Sequence, residues 1–423
     1  MTNKISRNGL TLMVNFSVIA LCLALSLNMF VTGLPQKIFY LVSYLSVASI
    51  LYGVARRRGD FKENGFYLAL FAVLIIFALI RFFWAIHVKG IDTAPSTDAM
   101  TNIGNYLLGA KRLLLGAFVL LSLAIYGHRV STTTLRIGRG LILVGLLITL
   151  GFGIHEHLYT ENIRIKLTTE AASMSSYMIL FIYCAWLWLS RFETHAYWKV
   201  ADVVVLAVTF ALLYLCGTRV TLIAMIAVGL LFLVQTYRLS LLTNWRISAL
   251  LVGVLAVLIL MTSNRWVEGM QDIENYGSNS STSLGARVAI WGGAVNFIEH
   301  HGGGFATPDA RTTEARQFIM AHYPLNVEGY TNVKYNMHNE FLEVTTLQGW
   351  LGTLSLALIY LTVLTGVLKK CDLRGVALPM LGLFIAGLTD SVMPYNQTAT
   401  IFMMALALCC IRRPLPVRRV TTA

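Results

Sequence analysis

Residues 335–352 read YNMHNEFLEVTTLQGWLG. An imidazole, an amide and a carboxylate (His338, Asn339 and Glu340) stand directly before an apolar helical stretch. Four more ionisable residues fall at the ends of apolar runs or between them: Arg219 in CGTRVTL, Arg265 in TSNRW, Arg287 in TSLGAR and Asp390 in GLTDS. Arginine is an always-charged planar fork that suits phosphate oxygens. A diphosphate is a good leaving group, and it needs charge neutralisation more than a proton. Arginines supply that without a metal. A histidine beside it would take the proton of an attacking hydroxyl, general-base help worth ~10²–10⁴ in rate.

The elements that must position these groups are membrane helices. Of the 423 residues, 57% are hydrophobic and 13% charged, against about 25% charged in a soluble domain. A spanning helix needs ~20 apolar residues. The hydropathy pattern predicts spans near 11–33, 38–55, 65–87, 104–127, 137–156, 170–190, 199–216, 219–236, 246–262, 340–367, 375–392 and 395–411. The expected class is an all-α polytopic membrane protein of roughly twelve transmembrane helices. The net charge of +13 is read as topology, not as nucleic-acid binding, because Lys and Arg collect in cytoplasmic loops. With the N-terminus (Lys4, Arg7) inside, the inside segments hold Arg56, Arg57, Arg58 and Lys62, then Arg129, Arg136 and Arg139, then Arg191 and Lys199. They continue with Arg238 and Arg246, with Lys369, Lys370 and Arg374, and with Arg412, Arg413, Arg418 and Arg419. That is about 20 of the 33 basic residues, so both termini are expected in the cytoplasm.

The layout follows: spans one to nine in 1–262, an outer helical loop domain in 263–337, spans ten to twelve in 338–412, and a basic tail in 413–423. A structureless loop as long as 263–337 is improbable in a compact protein, and it carries helix signals. Ser283 opens SLGARVAIWGGAVNFIEH, with Leu284, Val288, Trp291, Val295 and Ile298 at helical spacing. Thr307-Pro308-Asp309 offers a capping residue and a proline for the first helical position. The run His300-His301-Gly302-Gly303-Gly304 marks a turn between them. The other long outer connections are 88–103 and about 157–169.

On this topology the reactive residues converge on one outer membrane boundary. Ionisable groups at membrane depth cost ~2.5–3.5 kcal/mol on insertion scales, so they invite a functional question. His338, Leu342, Thr345, Gly349 and Gly352 would share one face of the tenth span, with the glycines allowing close helix packing. The N-termini of the eighth and tenth spans would point outward, offering free N–H groups and positive dipole ends to an anion. Plainer roles exist for each residue. Histidines at helix starts often cap, arginines at span ends snorkel to headgroups, Asp390 could simply bond a neighbouring helix, and Glu340 and Glu343 could be interfacial carboxylates. Lys111 and Arg112 could meet lipid phosphate or simply sit at the interface.

The six cysteines lie in or beside apolar runs, with no C-x-x-C pair, so neither a disulfide framework nor a zinc site is expected. His155 and His157 form an H-x-H pair without a persuasive third ligand. No metal or other cofactor is expected. The first apolar run is too long for a cleaved leader.

Taken together, TR at 218–219, TSLGAR at 282–287, MHNEFLE at 337–343, QGWLG at 348–352, LTD at 388–390 and a large loop before the tenth span resemble the bacterial O-antigen ligases. That family sits in a wider group with O-antigen polymerases and protein O-oligosaccharyltransferases. The architecture fits the whole chain, and the motifs lie within 210–392. The resemblance implies a GT-C-like, metal-independent, inverting glycosyltransferase of the Gram-negative inner membrane, working on the periplasmic face. The implied donor is O-antigen polysaccharide on undecaprenyl diphosphate, and the implied acceptor is lipid A–core. Carried over, His338 would be the base, and Arg219 and Arg287 would hold the diphosphate. Arg265 would assist in that binding, with Asp390, Asn339 and Glu340 supporting.

Two alternatives stay open at this point. An O-antigen polymerase shares much of this architecture, though polymerases more often have two substantial outer loops. A proton-coupled transporter or flippase would use His338 and Asp390 as a relay. Against it, no inverted repeat is visible and the charges gather at one face instead of the midplane.

Overall fold

The computed structural model describes residues 2–56, 61, 64–91, 94–160, 163–193, 195–237, 267, 282–369 and 373–412. Among these the secondary structure is helical, with no strand. Among the described residues, nine helices are long and apolar enough to cross a membrane, and two shorter apolar helices accompany them. The first eight long ones are α1 (Thr2–Leu27), α2 (Leu34–Arg56), α3 (Gly65–Ile91), α4 (Thr97–Tyr126), α5 (Thr132–Tyr159), α6 (Ala172–Ser190), α7 (Ala196–Cys216) and α8 (Arg219–Tyr237). The predicted span 246–262 and Arg265 lie outside the described residues. Next come three helices of the loop region: α9 (Ser283–His301), α10 (Pro308–His322) and α11 (Val327–Asn332). The chain returns through α12 (Glu340–Leu368), α13 (Arg374–Gly387) and α14 (Asn396–Leu408). This is an all-α, multi-pass membrane protein.

Sequence explains which helices are enclosed. α6 reads ASMSSYMILFIYCAWLWLS, apolar all round, and is buried from Met174 through Trp186. It packs against α7, α13 and α14, while α4 packs against α2, α3 and α14. On α12, by contrast, Leu354, Leu358, Leu361 and Leu364 stand exposed at helical spacing. A large apolar stripe of this kind suits lipid. At the end of α6 far from its N-terminus, Arg139 is buried with its guanidinium 4.4 Å from the ring centroids of both Trp186 and Trp198. It pairs with Asp202 at 2.6 Å. Among the described residues, Cys22, Cys184, Cys216, Cys409 and Cys410 are free, buried thiols.

The helix signals in the loop region are present as read. Thr282 caps α9 by accepting the Gly285 N–H, and Thr307 caps α10 by accepting the Ala310 N–H, with Pro308 in the first turn. Gly302 and Gly303, at φ +60° and +66°, end α9 in left-handed turns. The buried face of α9 differs from the one its larger residues mark out. Ala286, Ala289, Ile290, Gly293, Ala294 and Phe297 are buried, while Val295 is exposed. Close approach explains this. A Cβ on Gly293 would come 3.0 Å from the Ala315 Cβ of α10, so small residues make the contact.

Two further departures shape the site. α4 begins at Thr97, not near 104, because Ser96 caps a polar first turn that hydropathy passes over. The added turns carry Asn102, whose Nδ2 donates to the Lys334 carbonyl at 3.2 Å, just past α11. The tenth predicted span is not one helix. Gly349, at φ +64° and ψ −165°, breaks α12 into 340–348 and 350–368. The loop 302–306 fits into the break. Trp350 N–H donates to the Gly303 carbonyl at 2.9 Å, Ala306 N–H to the Leu347 carbonyl at 3.1 Å, and Trp84 Nε1–H to the Ala306 carbonyl at 3.0 Å. Gly349 is therefore a break where the loop region docks, and the single helix face expected to run from His338 through Gly349 to Gly352 is interrupted there.

Candidate active site

His338 precedes α12 without belonging to it. Asn339 is the N-cap, its Oδ1 accepting the N–H groups of Phe341 and Leu342 at 3.0 and 3.1 Å. The anion site expected at this helix N-terminus is thus already satisfied by Asn339, and the first turn carries Glu340 and Glu343. The Asn339 Nδ2 donates to the Leu388 carbonyl at 3.0 Å, tying the motif to the end of α13. His338 itself has φ +47°, a left-handed conformation uncommon outside glycine. The same bends place its imidazole toward the connection between α13 and α14.

That connection carries Asp390. The His338 Nδ1 lies 3.0 Å from Asp390 Oδ1. The carboxylate also accepts from the Tyr177 hydroxyl of α6 at 2.5 Å and from the Ser391 N–H at 2.8 Å. Burial pushes the Asp390 carboxyl up, but the bonds from His338, Tyr177 and Ser391 outweigh it and hold it below its ordinary range. An ionised carboxylate only accepts, so Nδ1 is the donor of this pair and Nε2 is the ring nitrogen not engaged by Asp390. The His338 side chain is 24% exposed, enough for Nε2 to meet a substrate.

Glu340 and Glu343 are not interfacial. Both are buried. Glu340 Oε2 accepts the N–H groups of Val392 and Met393 at 2.6 and 2.9 Å, just past Asp390. Its Oε1 lies 3.8 Å from Arg81 Nη2, an ion contact too long for a hydrogen bond. Glu343 Oε2 accepts the Met337 N–H at 2.7 Å, just before His338. Its Oε1 accepts from Tyr106 at 2.6 Å and from Arg311 at 2.7 Å. Arg81, Tyr106, Tyr177, Arg311 and Glu343 escaped the site reading because each lies inside a run whose apolar or helical pattern already accounts for it. One signal was available for Arg81, a lone charge in the apolar stretch LIRFFW.

Arg287 is on α9, one turn before Trp291, whose Nε1–H donates to the His338 carbonyl at 3.1 Å. Its charge reaches the Tyr177 phenol, and its Nε is buried without a hydrogen-bond partner among the described residues. Arg219 opens α8, which packs on α6 and α13, the helices that carry Tyr177 and lead to Asp390. The side chain of Arg164 lies over Gly217, 3.1 Å from where a Cβ would stand, and so adds a second basic group near the start of α8. The structure thus joins His338 to Asp390 directly, ties Asn339 and Glu340 to the backbone on either side of Asp390, and brings Arg287 in through Trp291 and Tyr177.

Residues 203–357 match the family model for O-antigen ligase. That stretch is less than half of the chain, and over it the chain is similar to the O-antigen ligases. A 168-residue stretch is 27% identical to the O-antigen ligase of Escherichia coli (strain K12), spanning 38% of this chain and 39% of that protein. The O-antigen ligase match runs from within α7 to within α12. It contains Arg219, Arg265, Arg287 and His338 but stops short of Asp390.

Proposed function

We propose that this protein is an O-antigen ligase that moves polysaccharide from undecaprenyl diphosphate to lipid A–core. The inverting transfer has His338 as general base. The acceptor hydroxyl attacks the anomeric carbon of the donor sugar from the face opposite the diphosphate. The new C–O bond forms as the bond from that carbon to the phosphate oxygen breaks. The hydroxyl proton goes to His338 Nε2, and the bonding pair leaves with the diphosphate. Asp390 holds the ring and balances the imidazolium that results. Arg287 and Arg219 take up the negative charge on the leaving group, with Arg265 assisting. The observation that carries this reading is the His338 Nδ1–Asp390 contact at 3.0 Å, together with Arg287, whose buried Nε has no hydrogen-bond partner among the described residues. Basic residues clustered on alternate connections support cytoplasmic termini in the inner membrane and a periplasmic site. The segment 263–337 would then be a periplasmic helical domain over a GT-C-like bundle.

The test uses purified protein with a polyprenyl-diphosphate-linked glycan and lipid A–core. Transfer to lipid A–core is the expected result. Lengthening of the polyprenyl-linked glycan with lipid A–core untouched would make it a polymerase. No glycan product from intact substrates would sink the transferase reading and favour a transporter.

A further inference from the structure

The backbone of His338 is held in a conformation it would not choose. For a residue with a Cβ the left-handed region is unfavourable, and such strain persists only where the surroundings over-determine it. Three hydrogen bonds fix it here: Met337 N–H to Glu343 Oε2, His338 N–H to Asn336 Oδ1 at 2.7 Å, and Trp291 Nε1–H to the His338 carbonyl. Glu343 differs from the other two because its own carboxylate is aimed from two separate elements. Tyr106 of α4 and Arg311 of α10 both donate to Oε1, which turns Oε2 toward Met337. Glu343 is 1% exposed and Arg311 0%. A buried ion pair is a poor device for stability, since apolar residues of like size often do as well or better. Placed one residue from the imidazole, it is well suited to fixing geometry.

We infer that Glu343 and Arg311 are positioning residues for His338: the ion pair between the loop region and α12 sets the imidazole against Asp390. The inference rests on His338 being the base of the proposed transfer. Misplacing a catalytic group by about 1 Å can cost ~10²-fold in rate, so undoing the pair should act on turnover more than on binding.

The test compares wild type, Glu343→Leu and the double variant Arg311→Met/Glu343→Leu in detergent or nanodiscs. The double variant leaves no unpaired buried charge, so its melting temperature should return close to wild type. Its kcat should stay ~10²-fold down, with KM for the lipid-linked donor unchanged. The rate at which diethyl pyrocarbonate modifies His338, followed by mass spectrometry, should shift several-fold. Wild-type kcat and a wild-type modification rate in the double variant would overturn the inference. If that protein fails to insert, Glu343→Gln carries the same comparison: reduced kcat at constant KM with an altered modification rate supports the assignment, and wild-type values in both overturn it. A wild type that transfers no glycan would refute the reaction, while the modification rates would still decide the positioning.

Discussion

At the residue scale, the centre is one imidazole whose two nitrogens have different neighbours. Nδ1 faces Asp390 at 3.0 Å, and Nε2 is left for substrate. Replacing His338 with alanine should lower transfer by ~10²–10⁴ in a protein that still inserts and melts as wild type; normal transfer would remove the base assignment. Asp390→Asn should lower kcat by ~10² or more, because an amide no longer fixes the tautomer or balances the imidazolium; a steady-state assay on purified protein reads this. Arg287→Lys keeps the charge and loses the planar fork. Its donor KM should rise at least about tenfold if phosphate oxygens are held in bidentate fashion, and an unchanged KM would argue for a point-charge role.

At the element scale, the decisive feature is the break in α12. Gly349 needs its φ of +64°, and a Cβ there would lie 2.0 Å from the Gly303 carbonyl oxygen. Gly349→Ala should therefore cost more than about 2 kcal/mol through backbone strain and displaced loop docking. Thermal melting should show a clear drop. For comparison, Thr307→Ala, which removes only the α10 cap, should cost ~1 kcal/mol. Equal shifts from the two would mean that the docking of 302–306 into the break carries little weight. The break also explains the buried carboxylates. The segment 340–348 is wedged between the loop helices and the bundle, so Glu340 and Glu343 find backbone N–H groups, a tyrosine and arginines instead of headgroups.

At the scale of the whole molecule, the His338 and Asp390 sides of the site come from different regions and meet over the bundle. α9 and α10 bring Trp291, Arg287 and Arg311, and the connection after α13 brings Asp390. α4 and α6 contribute Tyr106 and Tyr177. With arginines supplying the positive charge for the leaving group, glycan transfer is expected to continue in EDTA. Loss of transfer restored by a divalent cation would assign that charge to a metal instead.

The hydropathy of a 57% hydrophobic chain determined the class and most of the spans, because crossing lipid demands a long apolar run and little else. Capping chemistry determined where α9 and α10 start, since Thr282 and Thr307 act within their own turns. His338, Arg219, Arg287 and Asp390 were legible as charges placed where charges are costly. Only the tertiary structure decided who meets whom. The pairing of His338 with Asp390 spans fifty-two positions and depends on the packing of α6, α12 and α13. The break at Gly349 depends on a loop that reaches it from another part of the chain. The burial of Glu343 depends on Arg311 and Tyr106, neither of which announces itself in sequence. Local signals fix what a residue's own turn requires, whereas a buried charge takes its meaning from partners that only the folded chain supplies.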